Sequence, residues 1–176
     1  MIFTETKIKG LYIIDPELLT DERGFFARSF CKEEFRNHGL ETDIVQCNIS
    51  YNKNKGTLRG MHYQAPPFEE AKIVSCTKGS IYDVIVDLRR DSETYLQWHA
   101  EELSADSYRM LYVPKGCAHG FQTLEDDCVV YYQMGECYHP ECARGLRWND
   151  PAIRIVWPIP VLNISEKDQR YLDFKL

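Results

Sequence analysis

Short apolar runs at close spacing dominate the chain from about Asp43 onward. Runs rich in Val, Ile, Tyr and Thr alternate there with clusters of turn residues such as Asn, Gly, Pro and Asp. Many short strands at such intervals are typical of an antiparallel sandwich or jelly-roll barrel. The predicted strands are Ile44–Tyr51, Thr57–Tyr63, Lys72–Thr77, Ile81–Leu88, Tyr95–Leu103, Met110–Val113, Gly120–Leu124 and Val129–Met134.

Helical patterns are scarce. The segment Lys32–His38 is followed by Gly39, a residue that commonly ends helices. The segment Ser165–Leu172 begins with Ser-Glu-Lys-Asp, which resembles a capping box with Asp in place of Glu or Gln. The pattern therefore predicts a single mainly-β domain over residues 1–176, with short peripheral helices.

Length and charge narrow the functional classes. A chain of 176 residues is long enough to bury the core of one domain. Its net charge of −6 argues against a nucleic-acid partner, because binding a polyanion requires a basic surface. No apolar run approaches the roughly 20 residues of a membrane span, and no segment resembles a signal peptide. Membrane partners are therefore not expected.

Cysteine usage points to a reducing compartment. The seven cysteines are an odd number and include no C-x-x-C pair, so neither a disulfide framework nor a zinc site is predicted. We expect free thiols and a cytoplasmic protein.

Three cationic or titratable side chains lie close together on two consecutive predicted strands. These are Arg59, His62 and Lys72, within Thr57–Gln64 and Ala71–Val74. An imidazole can take a proton from carbon, an ammonium can stabilise the oxyanion that results, and a guanidinium can bind phosphate. The trio suggests proton abstraction beside a carbonyl on a phosphate-bearing substrate. Strict alternation would separate Arg59 from His62, so we predict a bulge or bend at Gly60.

Two further patterns are those of cupin half-motifs. Pro114–His119 has the P-x-G-x-x-H form, and Gly56 with His62 matches the opening G-x5-H. A metal-binding cupin needs more ligands, but position 64 is Gln and only Glu69 or Glu70 could supply a carboxylate. We therefore expect no metal, which leaves His62 and His119 for acid–base or hydrogen-bonding roles. A metal-dependent cupin oxygenase or isomerase remains an alternative.

Seven motifs stand in order along the chain: Asp21–Phe26, Leu58–Gln64, Ala71–Val74, Tyr82–Arg89, Pro114–Phe121, Trp148–Ala152 and Ile164–Asp168. In these motifs the chain resembles the dTDP-4-dehydrorhamnose 3,5-epimerase family of nucleotide-sugar enzymes. The resemblance implies a cupin-type antiparallel jelly-roll barrel, no metal or organic cofactor, and a homodimer whose amino-terminal strands join the partner's sheet.

The resemblance also implies catalytic roles. His62 would be the general base, with Asp168 orienting its imidazole and stabilising its charged form. Lys72 would lie near the C4 oxygen, where an enolate develops, and Tyr132 would return a proton from the opposite face of the sugar. Tyr131 should point the other way, because neighbouring strand residues face opposite sides.

The same resemblance implies that a larger set of residues binds the substrate. Arg23 and Arg59 suit a pyrophosphate, and Asp83, in the middle of a buried strand, is expected to orient a histidine. The full substrate-binding set is Arg23, Phe26, Arg28, Gln46, Asn48, Arg59, His119 and Tyr138.

The expected substrate is a nucleoside-diphosphate 4-keto-6-deoxyhexose, epimerised at C3, C5 or both. Arg28 stands where family members carry a glutamate that, by resemblance, contacts thymine. A guanidinium only donates hydrogen bonds, so we predict a base richer in acceptors, with CDP preferred to GDP. The alternatives are epimerisation at C3 only or C5 only, and a cupin that binds sugar nucleotides without catalysis.

Overall fold

The structure of the protein is a computed structural model that describes residues 1–174, and antiparallel strands make up most of it. Two short helices are α1 (Lys32–Asn37) and α2 (Glu166–Gln169). The strands are β1 (Ile2–Glu5), β2 (Tyr12–Asp15), β3 (Leu19–Asp21), β4 (Gly24–Phe26), β5 (Gln46–Asn52), β6 (Thr57–Gln64), β7 (Lys72–Lys78), β8 (Ser80–Asp87), β9 (Trp98–Ser104), β10 (Met110–Val113), β11 (Cys117–Thr123), β12 (Cys128–Met134), β13 (Ala143–Gly145) and β14 (Asn163–Ile164).

Two sheets form the body of the molecule. The first sheet has the order β1-β2-β10-β7-β12-β5, and the second has the order β13-β6-β11-β8-β9, with β14 added parallel to β6. One apolar cluster joins them: Val74 and Val130 from the first sheet pack in the same core as Ile85 and Phe121 from the second. This arrangement confirms the predicted antiparallel jelly roll, in which the two inner faces share one core.

Every strand predicted after Asp43 is present; β10 has the predicted bounds, and the other strands have shifted ends. The largest shifts are at two strand starts: β9 starts at Trp98 rather than Tyr95, and β11 starts at Cys117 rather than Gly120. Leu96, which has φ +62°, donates its N–H to the carbonyl of Asp87, so residues before Trp98 form a turn instead. The four strands β1 to β4 were not predicted from pattern: each spans only three or four residues, and none is buried throughout as the equally short β10 is.

The amino-terminal strands do not all remain available to a partner. β2 lies between β1 and β10 and is paired on both edges within its own chain. The expectation that the amino-terminal strands join a partner's sheet is therefore wrong for β2. Only the outer edge of β1 and the separate β3–β4 hairpin are left for such contacts.

Both predicted helices are present but shorter: α1 begins at the predicted Lys32, and α2 begins one residue later than predicted, after its N-cap Ser165. α1 buries Phe35 against Phe3 and Tyr112, which explains its single apolar position facing the first sheet. α2 spans four residues rather than the predicted Ser165–Leu172. None of the helices within residues 1–174 has the length and apolar content needed to cross a membrane.

Candidate active site

A cavity of about 630 Å³ opens between the two sheets. The first sheet contributes residues of β5, β7 and β12 to its wall, and the second contributes residues of β6, β11 and β13. Eight of the residues predicted from sequence line this cavity: Gln46, Asn48, Arg59, His62, Lys72, His119, Tyr132 and Tyr138.

An irregularity at Gly60 brings Arg59 and His62 to the same cavity. The register between β6 and β11 shifts there, because His62 is opposite His119 whereas Arg59 is opposite Phe121. Gly60 has φ +136°, and a Cβ on it would lie 2.5 Å from the Cα of Gly120. Glycine alone suits this position, and the predicted bend at Gly60 is confirmed. Arg59 then donates from Nε to Asn52 Oδ1 at 2.6 Å, which fixes its guanidinium at the cavity wall.

His62 forms a short hydrogen bond with Asp168 from the carboxyl-terminal segment. Nε2 of His62 and Oδ1 of Asp168 are 2.7 Å apart. Burial of Asp168 disfavours its charged form, but the hydrogen bond and charge of His62 outweigh this and lower the pKa of the carboxyl group. An ionised carboxylate only accepts, so Nε2 carries the proton and Nδ1 keeps the free lone pair. The imidazole is thus set up to take a proton.

The short helix α2 aims Asp168 at His62. The Ser165 hydroxyl accepts the backbone N–H of Asp168 at 3.1 Å, as the predicted N-cap requires. The Asp168 side chain does not reach back to complete a capping box. It accepts instead from His62 and, at 3.4 Å, from the backbone N–H of Gly60. The Asp at this cap position is therefore explained by its contact with His62.

The opposite wall of the cavity carries Lys72 and Tyr132 on neighbouring strands of the first sheet. Lys72 Nζ donates to Glu70 Oε1 at 2.6 Å, and both side chains are almost fully buried. Burial and the negative charge of Asp83 raise the pKa of Tyr132, so its phenol stays protonated at neutral pH. Tyr131 is outside the cavity lining, as strand alternation predicts.

A second histidine–carboxylate pair lies deeper in the site. His119 Nε2 is 2.7 Å from Asp83 Oδ1, and both side chains are buried. The ring of His119 meets the ring of Tyr132 edge to face, with centroids 6.0 Å apart. Asp83 therefore orients a histidine, as expected, and that histidine packs directly against the phenol.

Three predicted substrate-binding residues do not reach the cavity of their own chain. Arg23 and Phe26 belong to the β3–β4 hairpin, where their side chains are largely exposed, and Arg23 pairs with Asp21. Arg28 follows the hairpin and donates to Glu34 at 2.7 Å. The β3–β4 hairpin forms a separate two-stranded sheet that pairs with neither of the other two, and the three residues are not in the lining of the cavity of their own chain. Their contact with the substrate stays a prediction.

Several residues that line the cavity were not predicted as site residues. Arg144 and Lys167 line it, as does Tyr171, whose ring lies 6.1 Å from that of His62. A Cβ on Gly145 would lie 2.2 Å from the Tyr171 ring, so glycine makes room for this aromatic. Only Tyr171 had a usable signal, because it lies three residues after Asp168, within the helix predicted over Ser165–Leu172, although α2 ends before it at Gln169. Glu70 was considered solely as a metal ligand.

Four of the candidate metal ligands form hydrogen bonds with other groups of the protein. His62 is held by Asp168, His119 by Asp83, and Glu70 by Lys72. Gln64 uses its amide to bind the backbone of Phe68, Cys137 and His139. Within residues 1–174, no three His, Cys, Asp or Glu side chains come together as a metal site would require.

A jelly roll whose central cavity holds a carboxylate-bound imidazole opposite an ammonium and a phenol defines a cupin-type isomerase. Comparison with known proteins makes this specific. The family model described as dTDP-4-dehydrorhamnose 3,5-epimerase matches residues 5–175. The chain belongs to the dTDP-4-dehydrorhamnose 3,5-epimerase family, whose members are nucleotide-sugar isomerases.

Individual relatives agree along nearly the whole chain. The dTDP-4-dehydrorhamnose 3,5-epimerase of Methanothermobacter thermautotrophicus is 43% identical, covering 96% of this chain and 92% of its own. The crystal structure of the enzyme from Elizabethkingia anophelis has a TM-score of 0.96 and 40% identity, covering 99% and 96% of the two chains. That of the Bacillus anthracis enzyme, with TDP and PPi bound, has a TM-score of 0.94 and 40% identity, covering 98% and 99%.

Proposed function

We propose that the protein inverts both C3 and C5 of a dTDP-4-keto-6-deoxyhexose. One observation carries the proposal: His62 lies on the second sheet, whereas Tyr132 and Lys72 lie on the first, across the cavity. A base and an acid on opposite walls suit removal of a proton from one face of a carbon and its return to the other.

The same proton transfers are expected at C3 and at C5. Nδ1 of His62 takes the hydrogen of C3 or C5 as a proton, and the electron pair of that C–H bond forms an enolate with the C4 carbonyl. Lys72 donates to the enolate oxygen, which holds the developing charge. The hydroxyl of Tyr132 then gives its proton to the same carbon from the other face. Asp168 stabilises the imidazolium until its proton returns to solvent. The phenolate of Tyr132 takes a proton from solvent, which restores both groups for the second carbon.

The nucleotide is proposed to be thymidine diphosphate. The relatives are named for dTDP sugars, and the Bacillus anthracis structure contains TDP. The CDP and GDP predicted from Arg28 have less support, because the relatives are named for dTDP sugars and Glu34 offsets the charge of that guanidinium in an ion pair of 2.7 Å. In heavy water, dTDP-4-keto-6-deoxyglucose should gain deuterium at C3 and C5 by NMR, at least about 10-fold faster than its CDP and GDP analogues. Faster exchange with the CDP or GDP sugar would contradict the thymidine assignment.

A second copy of the chain is proposed to complete the site. Arg23 and Phe26 extend from the body on the β3–β4 hairpin, and the side chain of Phe26 is 72% exposed. An exposed aromatic beside an arginine is characteristic of interface residues. We propose that the hairpin of one protomer reaches the cavity of its partner in a homodimer, where Arg23 can bind the diphosphate.

Mixing two inactive variants tests this arrangement. Arg23→Ala should remove the diphosphate contact supplied to the partner, and His62→Ala should remove the base of its own cavity. A mixed dimer has one cavity with neither substitution. Random pairing makes about half of the dimers mixed, and one of the two cavities in each is intact, so co-refolded variants should recover up to about a quarter of wild-type activity. If Arg23 serves its own cavity, every cavity keeps one lesion and no activity returns.

A cytoplasmic location is proposed as well. All seven cysteines are free thiols, and burial raises the pKa of Cys76 and Cys117 to about 12. Cysteines kept as thiols are typical of reducing compartments.

A further inference from the structure

Glu70 places a carboxylate inside the cavity next to Lys72. It lies in the short segment between β6 and β7, and its side chain is only 9% exposed. One of its oxygens, Oε1, accepts from Lys72 Nζ at 2.6 Å. A carboxylate is costly to bury unless its oxygens find donors, so the second oxygen needs one too.

The second oxygen, Oε2, is open to a ligand. Within residues 1–174 it accepts no hydrogen bond, and Glu70 lines the cavity beside Lys72. A carboxylate only accepts hydrogen bonds. The group that meets Oε2 must therefore be a donor on the substrate or a solvent molecule that the substrate displaces.

We propose that Glu70 accepts a hydrogen bond from the C3 hydroxyl of the sugar and thereby selects substrates that carry this hydroxyl. The inference rests on the proposed function, in which Lys72 donates to the C4 oxygen. C3 and C5 are the two ring carbons bonded to C4. C3 carries a hydroxyl group, and C5 carries a methyl group. Of these two neighbours, the C3 hydroxyl alone can donate to a carboxylate held against Lys72.

A role in binding the C3 hydroxyl can be distinguished from a role in holding Lys72 in place. If Glu70 only held Lys72 in place, its loss would impair every 4-keto substrate to the same degree. If it binds the C3 hydroxyl, its loss matters only for substrates that have this group. A hydrogen bond to a charged group is also stronger than one to a neutral amide of the same shape.

Two substrates and one isosteric variant test the proposal. Wild type and Glu70→Gln are compared by deuterium exchange at C5, using a dTDP-4-keto-6-deoxyhexose and its 3-deoxy analogue. We expect Glu70→Gln to lower kcat/KM at least about 10-fold for the hydroxylated sugar and less than about 2-fold for the 3-deoxy sugar. Glu102→Gln, at an exposed position of β9, is the matched control and should change neither value.

The outcomes are distinct. If Glu70→Gln lowers kcat/KM equally for both substrates, or for neither, the assignment of Glu70 to the C3 hydroxyl is overturned. Exchange by the wild type would still support the proposed function in that case. An absence of wild-type exchange on both sugars overturns the proposed function, and the role of Glu70 with it. Circular dichroism and thermal unfolding of Glu70→Gln establish that the variant is folded.

Discussion

Replacing His62 with alanine is expected to reduce exchange of carbon-bound hydrogen at both C3 and C5 by about 10²–10⁴-fold, the usual contribution of a positioned base. The reason is the dyad with Asp168. The 2.7 Å contact fixes the protonated nitrogen and leaves Nδ1 as the acceptor. His119 forms the same kind of pair with Asp83, but its side chain is 6% exposed whereas that of His62 is 43% exposed, so His62 is the more accessible base. NMR in heavy water measures the exchange directly.

The control separates chemistry from binding and folding. His38→Ala replaces an exposed histidine that follows α1, outside the cavity, and should keep wild-type exchange. His62→Ala should still bind dTDP with near wild-type affinity by calorimetry, because the phosphate and base contacts are made elsewhere. Exchange by His62→Ala close to the wild-type rate would refute the assignment of the base.

Replacing Tyr132 with phenylalanine is expected to impair epimerisation more than exchange. The variant keeps the base and the enolate-stabilising ammonium, so protons still leave the sugar and deuterium can return on the original face. Inversion requires a donor on the opposite face, and the loss of one positioned acid is worth about 10²–10⁴-fold. The raised pKa of Tyr132 keeps this proton available across the neutral range. Deuterium uptake and product stereochemistry, measured in the same NMR sample, give the two rates.

Tyr131→Phe is the matched control for this experiment. It is the next residue of β12 and lies outside the cavity lining, so both rates should stay at wild-type values. The phenyl ring of Tyr132→Phe keeps the edge-to-face packing with His119, which limits any loss of stability. Equal losses of exchange and inversion in Tyr132→Phe would contradict its role as the opposite-face acid.

Local sequence pattern predicted the strands of the jelly roll well, because short runs of apolar and β-branched residues bounded by turn residues are typical of strands buried in a sheet. The bend at Gly60 followed from strand alternation, since two cavity residues an odd number of positions apart require an irregular strand. The short amino-terminal strands escaped prediction, because none of them is buried throughout as the equally short β10 is.

Long-range relations could not be derived from pattern. Asp168 and His62 are 106 positions apart, and their pairing was expected only through family resemblance. The position of the β3–β4 hairpin depends on tertiary packing, so the pattern could not show that Arg23 and Phe26 lie outside their own cavity. Glu70 was considered as a metal ligand because sequence shows which residues are neighbours in the chain but not which way their side chains point.

The central claim is that one carbon is approached by His62 from one side and by Tyr132 from the other. A crystal structure of the His62→Asn variant with bound dTDP-4-keto-6-deoxyglucose tests it most directly. The account predicts the sugar ring between the substituted amide side chain at position 62 and the Tyr132 hydroxyl, with Lys72 Nζ in hydrogen-bonding range of the C4 oxygen. A sugar bound with both groups on the same face, or with the phenol directed away from C3 and C5, would contradict it.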